Sequence, residues 1–180
     1  MPHTKTDIGL YEAASQFKME DYEGVKNTCS RILQLEETAD AYYMRGMAFL
    51  RQGEEEAAKA DFDGASRLAP ANYDMFLNIY REYESLRKSA VGDEFLQKAL
   101  HYEGQTSEDD YRKGSIYFYL GDYQKAREVL AKPVEAGYEK AMLLMGEVYL
   151  AQGDSVHARN IYQQYIETKG ESAMDYNGLA

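Results

Sequence analysis

Apolar residues return along the chain at intervals of three, four and seven positions. Tyr42 and Phe49 show this spacing in one segment, and Met142, Met145 and Tyr149 show it in another. The spacing matches one face of an α-helix and differs from the strict alternation of a half-buried strand. The sequence therefore predicts an all-α protein without β-strands.

A longer pattern is superimposed on the helical one. The segment "RGMAFLRQGEEEAAKADF" from Arg45 returns as "KGSIYFYLGDYQKAREVL" from Lys113 and as "MGEVYLAQGDSVHARNIY" from Met145. Gly46 and Gly114 are 114 − 46 = 68 residues apart, which is twice 34. A period near 34 residues is the signature of a solenoid of stacked helical pairs. Each unit is predicted to contain a helix, a tight turn and a second helix.

Two glycines in each typical unit have distinct predicted roles. The first lies inside a helix, where glycine costs about 1 kcal/mol against alanine, so we expect close approach of the second helix to require it. These internal glycines are Gly46, Gly114 and Gly146, and the small residues expected to face them are Ala58, Ala126 and Ala158. The second glycine ends the first helix at a position suited to positive φ. These turn glycines are Gly53, Gly121 and Gly153.

Other positions depart from the pattern. Glu20 in the first unit and "RKS" from Arg87 in the third stand where a glycine turn is expected. In the third unit Tyr80 also replaces the internal glycine, so the two helices of this unit are expected to lie further apart. Pro133 should stop or kink its helix because proline lacks a backbone N–H. The final segment, "SAMDYNGLA" from Ser172, is predicted to open a further helix.

The combination of these positions resembles the tetratricopeptide repeat family. The segment from 39 to 70 carries the family pattern at Tyr42, Gly46, Phe49, Ala58, Phe62, Ala65 and Pro70, with Arg45 in place of the usual leucine. The resemblance implies one right-handed α-solenoid of helix-turn-helix repeats over residues 1–180. The repeats are expected at about 6–38, 39–72, 73–106, 107–138 and 139–171, with 172–180 beginning a truncated sixth.

Composition narrows the functional classes. The 180 residues are 44% hydrophobic and carry a net charge of −11, which repels phosphate backbones and disfavours nucleic acid as a partner. No apolar run approaches the roughly 18 residues of a membrane helix, and the N-terminus lacks the order of a signal peptide. We expect no membrane insertion of this segment. The default localisation is cytoplasmic, or extracytoplasmic if the full-length protein carries a signal or lipid anchor.

Few residues suggest catalytic or metal chemistry. His3, His101 and His157 are too dispersed in the repeat alignment to share a metal. Cys29 is either a buried packing residue or a reactive thiol, and we favour packing. The cluster "SEDDY" from Ser107 fits either a cation site or a helix cap made by Ser107 or Asp109, and we favour the cap. The sequence predicts no enzyme activity, no cofactor and no metal.

The resemblance also implies a partner-binding groove lined by residues of the first helices. The candidate groove residues are Leu10, Phe17, Tyr43, Met47, Leu50, Leu77, Asn78, Arg81, Tyr111, Arg112, Phe118, Tyr119, Leu143 and Glu147. These side chains either line an exposed apolar groove or fill the seams between first helices. The family's clamp for C-terminal carboxylates is not expected, because only Asn78 and Arg112 match it and Glu108 stands where a lysine belongs.

The predicted function is protein–protein interaction as a scaffold or adaptor, with a peptide or partner protein bound in the concave groove. The alternative is a regulatory or substrate-recruiting segment of a larger enzyme or of a secretion or assembly protein whose active domain lies elsewhere. We also expect self-association through an uncapped C-terminal end, because an open solenoid end exposes apolar surface.

Overall fold

The computed structural model describes residues 4–178, with side chains described for residues 4–171, and every regular element in this range is an α-helix. The helices are α1 (Lys5–Lys18), α2 (Tyr22–Leu35), α3 (Ala39–Arg51), α4 (Glu55–Leu68), α5 (Tyr73–Ser85), α6 (Ser89–Ala99), α7 (Ser107–Tyr119), α8 (Tyr123–Glu135), α9 (Glu139–Ala151) and α10 (Ser155–Gly178). The prediction of an all-α, helix-turn-helix fold is confirmed.

The chain forms two compact units, Met1–Lys98 and Ala99–Ala180. The first unit holds α1 to α5 and α6 up to Lys98, and the second holds α7 to α10. The prediction of one continuous solenoid over residues 1–180 stays a prediction.

Polar side chains at the helix starts explain where most helices begin. Thr38 accepts a hydrogen bond from the backbone N–H of Ala41, and Asp122 accepts one from that of Lys125. Each cap satisfies a backbone donor that the first helical turn leaves without a partner. The carboxylate of Asp154 likewise accepts from the backbone N–H of His157 at the start of α10. The acidic residues that the sequence places after the turn glycines thus act as caps at Asp122 and Asp154.

The tight turns between paired helices require a left-handed residue. Gly53, Gly121 and Gly153 have φ between 76° and 78°, as the sequence predicts. Glu20 and Arg87 occupy the same kind of position in the two pairs without a turn glycine, both with φ of 59°. The turn geometry is therefore kept even where the residue is not glycine, at the cost that a side chain incurs in this region.

The internal glycines make room for a bulky side chain and not mainly for the facing alanine. A Cβ on Gly46 would lie 2.7 Å from Cε1 of Phe62, whereas the nearest atom of Ala58 is its carbonyl oxygen at 3.3 Å. The corresponding neighbours are Leu130 for Gly114, at 2.6 Å, and Tyr162 for Gly146, at 2.4 Å. The expectation of a close approach is correct, but the contacting residue lies one helical turn beyond the alanine.

In the helix pair of α5 and α6 the large and the small residue have exchanged places between the two helices. Tyr80 takes the place of the internal glycine, and Gly92 takes the place of the alanine on the second helix. A Cβ on Gly92 would lie 3.0 Å from Cδ2 of Tyr80 and 3.3 Å from its carbonyl oxygen. The carbonyl oxygen of Tyr80 thus lies as close to this Cβ as that of Ala58 lies to a Cβ on Gly46, and the predicted wider separation of the two helices stays a prediction.

A buried ion pair explains why Arg45 replaces the usual leucine. Its Nε and Nη2 donate to the two carboxylate oxygens of Asp61 at 2.7 and 2.8 Å, and its Nη1 donates to Oγ of Ser30 at 3.0 Å. Asp61 is only 4% exposed. The bidentate pair links α3 to α4, and the bond to Ser30 extends the link to α2.

Aromatic rings form much of the core of the first unit. Phe62 is fully buried, and its ring centroid lies 6.0 Å from that of Tyr83 and 5.7 Å from that of Phe95. Tyr83 and Phe95 stack at 5.9 Å with an interplanar angle of 10°. In the second unit the core is more aliphatic, with buried residues Leu130, Val134, Met142, Met145, Val148 and Ile161.

Two expectations about the C-terminal part are contradicted, one of them in part. α8 continues past Pro133 to Glu135, so the proline does not stop the helix where it stands, and the alternative of a kink stays a prediction. The helix expected to open at Ser172 is not separate, because α10 runs without a break from Ser155 to Gly178. No proline follows Pro133 and Gly170 lies within α10, so nothing there forces a turn. Leu179 and Ala180, assigned to the same opening helix, lie outside the described residues.

Candidate partner-binding surfaces

The candidate groove residues of the first unit fall into two groups. Leu10, Phe17 and Tyr43 are half-buried, and Asn78 and Arg81 are exposed. The other three are buried, with exposed fractions of 8% for Met47, 2% for Leu50 and 3% for Leu77. Leu50 and Leu77 therefore fill the interior of the unit, as one of the two readings of the sequence predicts for part of the set.

An apolar pocket opens between α1 and α3. Its volume is about 260 Å³, and its lining residues are Ala14, Phe17, Lys18, Tyr43, Met44 and Met47. Three of these six are candidate groove residues from the sequence. The small side chain of Ala14 leaves space that the larger residues around it border. We refer to this feature as the α1–α3 pocket.

Tyr43 connects the α1–α3 pocket to α5. Its ring lies 6.4 Å from that of buried Phe62, and its hydroxyl shares a side-chain hydrogen bond with Asn78. Burial raises the pKa of Tyr43 above its usual value, an effect that the bond to Asn78 partly offsets. Arg81 Nη1 in turn donates to Oδ1 of Asn78 at 3.3 Å. The polar residues of α5 thus hold the Tyr43 ring in place beside the pocket.

Arg51 lies beside the same pocket and was missed by the sequence analysis. Its guanidinium carbon lies 5.6 Å from the ring centroid of Phe17, and it forms an ion pair with Glu82 on α5. Arg51 and Phe17 are 51 − 17 = 34 residues apart, one repeat period. That period was the available signal, since it places the two residues at equivalent positions of successive first helices.

The cationic candidate residue of the second unit, Arg112, is already part of an ion pair. Arg112 Nη2 lies 2.9 Å from Oε1 of Glu108, and Lys140 Nζ lies 3.6 Å from the same oxygen. The charged groups of Arg112 and Lys140 also lie 5.4 and 5.9 Å from the ring centroid of Tyr111. Glu108 therefore pairs with both cations, and the absence of a carboxylate clamp stays a prediction.

The second unit also exposes apolar side chains on its first helices. Tyr119 on α7 is 40% exposed, and Leu143 and Leu150 on α9 are 38% and 52% exposed. Leu143, Glu147 and Leu150 follow the spacing of one helix face, and Glu147 is exposed as well. Phe118 is half-buried against Tyr119 and Tyr123. This face of α9 is accessible, whereas Leu50, at the position equivalent to Leu150, is buried.

The acidic cluster at the start of α7 takes a structural role. Thr106, not Ser107 or Asp109, is the residue that caps α7, and Asp109 completes a capping box by accepting from the Thr106 N–H. Between residues 4 and 171 no three His, Cys, Asp or Glu side chains come together as a metal site. His101 lies after α6 and His157 within α10, and His3 lies outside the described residues.

No helix in the described part of the chain is both long and apolar enough to cross a membrane.

Cys29 is fully buried, and burial raises the pKa of its thiol to about 12. A thiolate is the reactive form of cysteine, so the thiol should be inert in the folded protein. The packing interpretation of Cys29 therefore fits the structure better than a reactive thiol.

We expect the stability of the protein to fall as the pH rises from about 9 towards 12. The folded protein holds the thiol proton of Cys29 more tightly than the unfolded chain does, so this contribution is complete below the unfolded pKa and is lost above it. Burial of Tyr83, whose pKa is also raised to about 12, adds to the loss above about pH 10. Urea denaturation at a series of pH values measures the effect. In a Cys29→Ala variant the decline should begin about one pH unit later, and an unchanged profile would contradict the assignment.

Two family models of the tetratricopeptide repeat match the chain, one over residues 39–72 and the other over residues 111–173. Among curated proteins, the chain is 25% identical over 157 residues to BBSome complex member BBS4 from Mus musculus and 24% identical to the same protein from Bos taurus. The matches cover 84% of this chain and 30% of each relative, so the chain spans about 30% of the length of the curated relatives it matches.

Solved structures show the same fold at low identity. The protein MamA is 16% identical with a TM-score of 0.58, and the match covers 94% of both chains. YrrB, described as a TPR protein with an unusual peptide-binding site, is 20% identical with a TM-score of 0.54 over 92% of this chain and 87% of its own. The C-terminal part of a TPR repeat-containing protein from Cytophaga hutchinsonii is 15% identical with a TM-score of 0.65, over 97% and 71%. Together with the repeat positions and the ten observed helices within residues 4–178, these matches show that the chain belongs to the tetratricopeptide repeat family.

Proposed function

We propose that this chain is a protein-interaction module that binds a peptide or partner-protein segment on the faces of its first helices. The observation that carries the proposal is the α1–α3 pocket, which is apolar, open and bordered by half-buried Phe17 and Tyr43. An apolar recess with polar groups beside it is the usual form of a site that binds an anchoring side chain.

The competing reading, in which the candidate residues only fill seams between helices, applies to part of the set. Leu50 and Leu77 are too buried to contact a partner. Phe17, Tyr43, Tyr119 and Leu143 remain half-buried or exposed, although large apolar side chains are costly to leave in water. Contact with a partner is a reason for leaving these side chains accessible.

The relatives support an assembly role. BBS4 is named as a member of a complex, and YrrB is described as having a peptide-binding site. The alternative function, a recruiting segment of a larger enzyme or assembly protein, draws on the same relatives, because the similarity covers only 30% of BBS4. Both functions require a partner-binding surface on this chain.

Alanine at Tyr43 and at Phe118 tests the proposal. A partner recovered with the wild-type chain should bind each variant at least about 2 kcal/mol more weakly, because truncation of a central aromatic contact commonly costs that much. Tyr11→Ala, which removes an exposed tyrosine outside the candidate set, is the matched control and should bind normally. Calorimetry measures the affinity, and thermal melts check folding. If both variants are strongly destabilised and their folded fraction still binds the partner as the wild-type chain does, these residues belong to the core and the proposal is rejected.

Self-association through the C-terminal end remains a separate proposal. Val156 and Ile166 on α10 are 67% and 60% exposed, so this helix presents apolar surface to solvent. Sedimentation velocity should show a concentration-dependent dimer that Ile166→Glu weakens. A monomer at all concentrations would reject it.

A further inference from the structure

The α1–α3 pocket is lined by a single charged residue, Lys18, in a protein whose net charge is −11. Ala14, Phe17, Tyr43, Met44 and Met47 supply the rest of the lining. Lys18 is exposed and takes part in none of the ion pairs found among residues 4–171. A cation at the edge of an apolar recess is the feature that an apolar anchor beside a carboxylate would match.

A second cation near the pocket, Arg51, is already paired with an acidic residue. Arg51 lies over the ring of Phe17, on the face of the unit that holds the pocket, and its acidic partner Glu82 is on α5. The side chain of Glu82 is paired with Arg51 and only 14% exposed, so little of its carboxylate is accessible to a ligand. The Arg51–Glu82 pair therefore adds no net charge beside the pocket, and Lys18 is the charged residue among those that line it.

The size and composition of the pocket limit its occupant. A volume of about 260 Å³ is below the roughly 300–1,000 Å³ typical of small-molecule sites, and it suits one long side chain better than a cofactor. Met44 and Met47 are flexible and polarisable, so they adapt to different apolar shapes. Leucine, methionine and phenylalanine are the side chains that match such a recess.

We propose that the α1–α3 pocket recognises a short linear motif in a partner protein, in which a leucine, methionine or phenylalanine enters the pocket and a neighbouring aspartate or glutamate pairs with Lys18. This inference rests on the proposed function and adds the chemistry of the ligand. The net charge of −11 opposes binding of such a peptide, because the long-range field of an acidic protein favours basic peptides. A preference for the acidic peptide must therefore come from the local contact.

Three labelled dodecapeptides with a glycine–serine background test the proposal by fluorescence anisotropy. They differ only in a central pair, Phe-Glu, Phe-Lys or Ala-Glu. The Phe-Glu peptide should bind the wild-type chain about fivefold more tightly than Phe-Lys, the ratio that an exposed ion pair of about 1 kcal/mol gives. The Ala-Glu peptide should bind more weakly than both, because it lacks the anchor.

Two variants with the same change in charge locate the effect. Lys18→Glu should reverse the preference so that Phe-Lys binds more tightly than Phe-Glu. Lys5→Glu, at the opposite end of α1, should leave the wild-type order unchanged. Ala14→Phe should fill the pocket and reduce the Phe-Glu peptide to the affinity of Ala-Glu, and the Ala-Glu peptide gives the same information on wild type if that variant misfolds.

Equal binding of Phe-Glu and Phe-Lys, or equal effects of Lys18→Glu and Lys5→Glu, would overturn the motif. Absence of binding by all three peptides would also overturn it. If the recovered partner still depends on Tyr43 in either case, the proposed function stands and only the ligand chemistry is wrong. If the partner is indifferent to Tyr43 and Phe118 while Phe-Glu binds as expected, the motif stands and the proposed partner surface is wrong.

Discussion

Replacement of Arg45 by leucine should destabilise the protein by about 3 kcal/mol, although leucine is the residue that the family pattern usually has at this position. The loss is expected because Asp61, only 4% exposed, would keep its negative charge without a cation. Ser30 would lose its bond to the guanidinium as well. Urea denaturation of the variant and wild type gives the difference in the free energy of unfolding.

Two further variants show whether the cost comes from the orphaned carboxylate. Arg45→Leu combined with Asp61→Leu should recover most of the stability, because well-packed apolar residues often replace a buried ion pair without loss. Arg51→Leu is the matched control, since it breaks the more exposed pair with Glu82 and should cost about 1 kcal/mol or less. If the Arg45→Leu variant has the same free energy of unfolding as the wild type, Asp61 reaches water or another partner.

Replacement of Gly46 by leucine should also cost about 3 kcal/mol, the upper end of the usual range for overpacking. Even a Cβ at this position would lie 2.7 Å from Phe62, which is fully buried among the rings of Tyr43, Tyr83 and Phe95. The ring has no free direction in which to move. Thermal and chemical denaturation measure the loss.

The same substitution at two other glycines provides a graded control. Gly146→Leu should cost less than Gly46→Leu, because the clashing ring of Tyr162 is half-buried and its far end can rotate towards solvent. Gly170→Leu should be neutral or slightly stabilising, since no atom outside its own helical surroundings lies within 4 Å and leucine favours helix. Equal losses at all three positions would mean that the clash with the facing side chain does not control the effect.

Much of the local fold could be predicted from the sequence because its causes are local. The helical period and the left-handed glycines each act within a few residues, and the structure has helices and turns at those places. The continuous α10 was not predicted because the repeat pattern suggested a break after Glu171, where no residue enforces a turn. A repeat pattern shows where a helix can end, but the helix ends there only if a residue such as glycine or proline favours a turn.

The long-range contacts were harder to predict because they depend on pairs of residues. Arg45 could be read as a departure from the pattern, but nothing in the sequence pointed to Asp61 as its partner. Equivalent positions also differ in burial, since Leu50 is 2% exposed and Leu150 is 52% exposed. The repeat gives each residue its place on a helix, whereas its exposure depends on which neighbours pack over it. The candidate groove could therefore be placed on the first helices, but its open part could not be separated from its filled part.

The most direct test of the partner-binding surface is site-specific photo-crosslinking to the partner recovered with the wild-type chain. The photoreactive residue p-benzoylphenylalanine would replace Asn78 or Tyr119, both exposed candidate groove residues on first helices, or Lys59, which is exposed on second helix α4. We predict a covalent adduct from position 78 or 119 and none from position 59. An adduct from position 59 alone, with binding retained in all three variants, would contradict it.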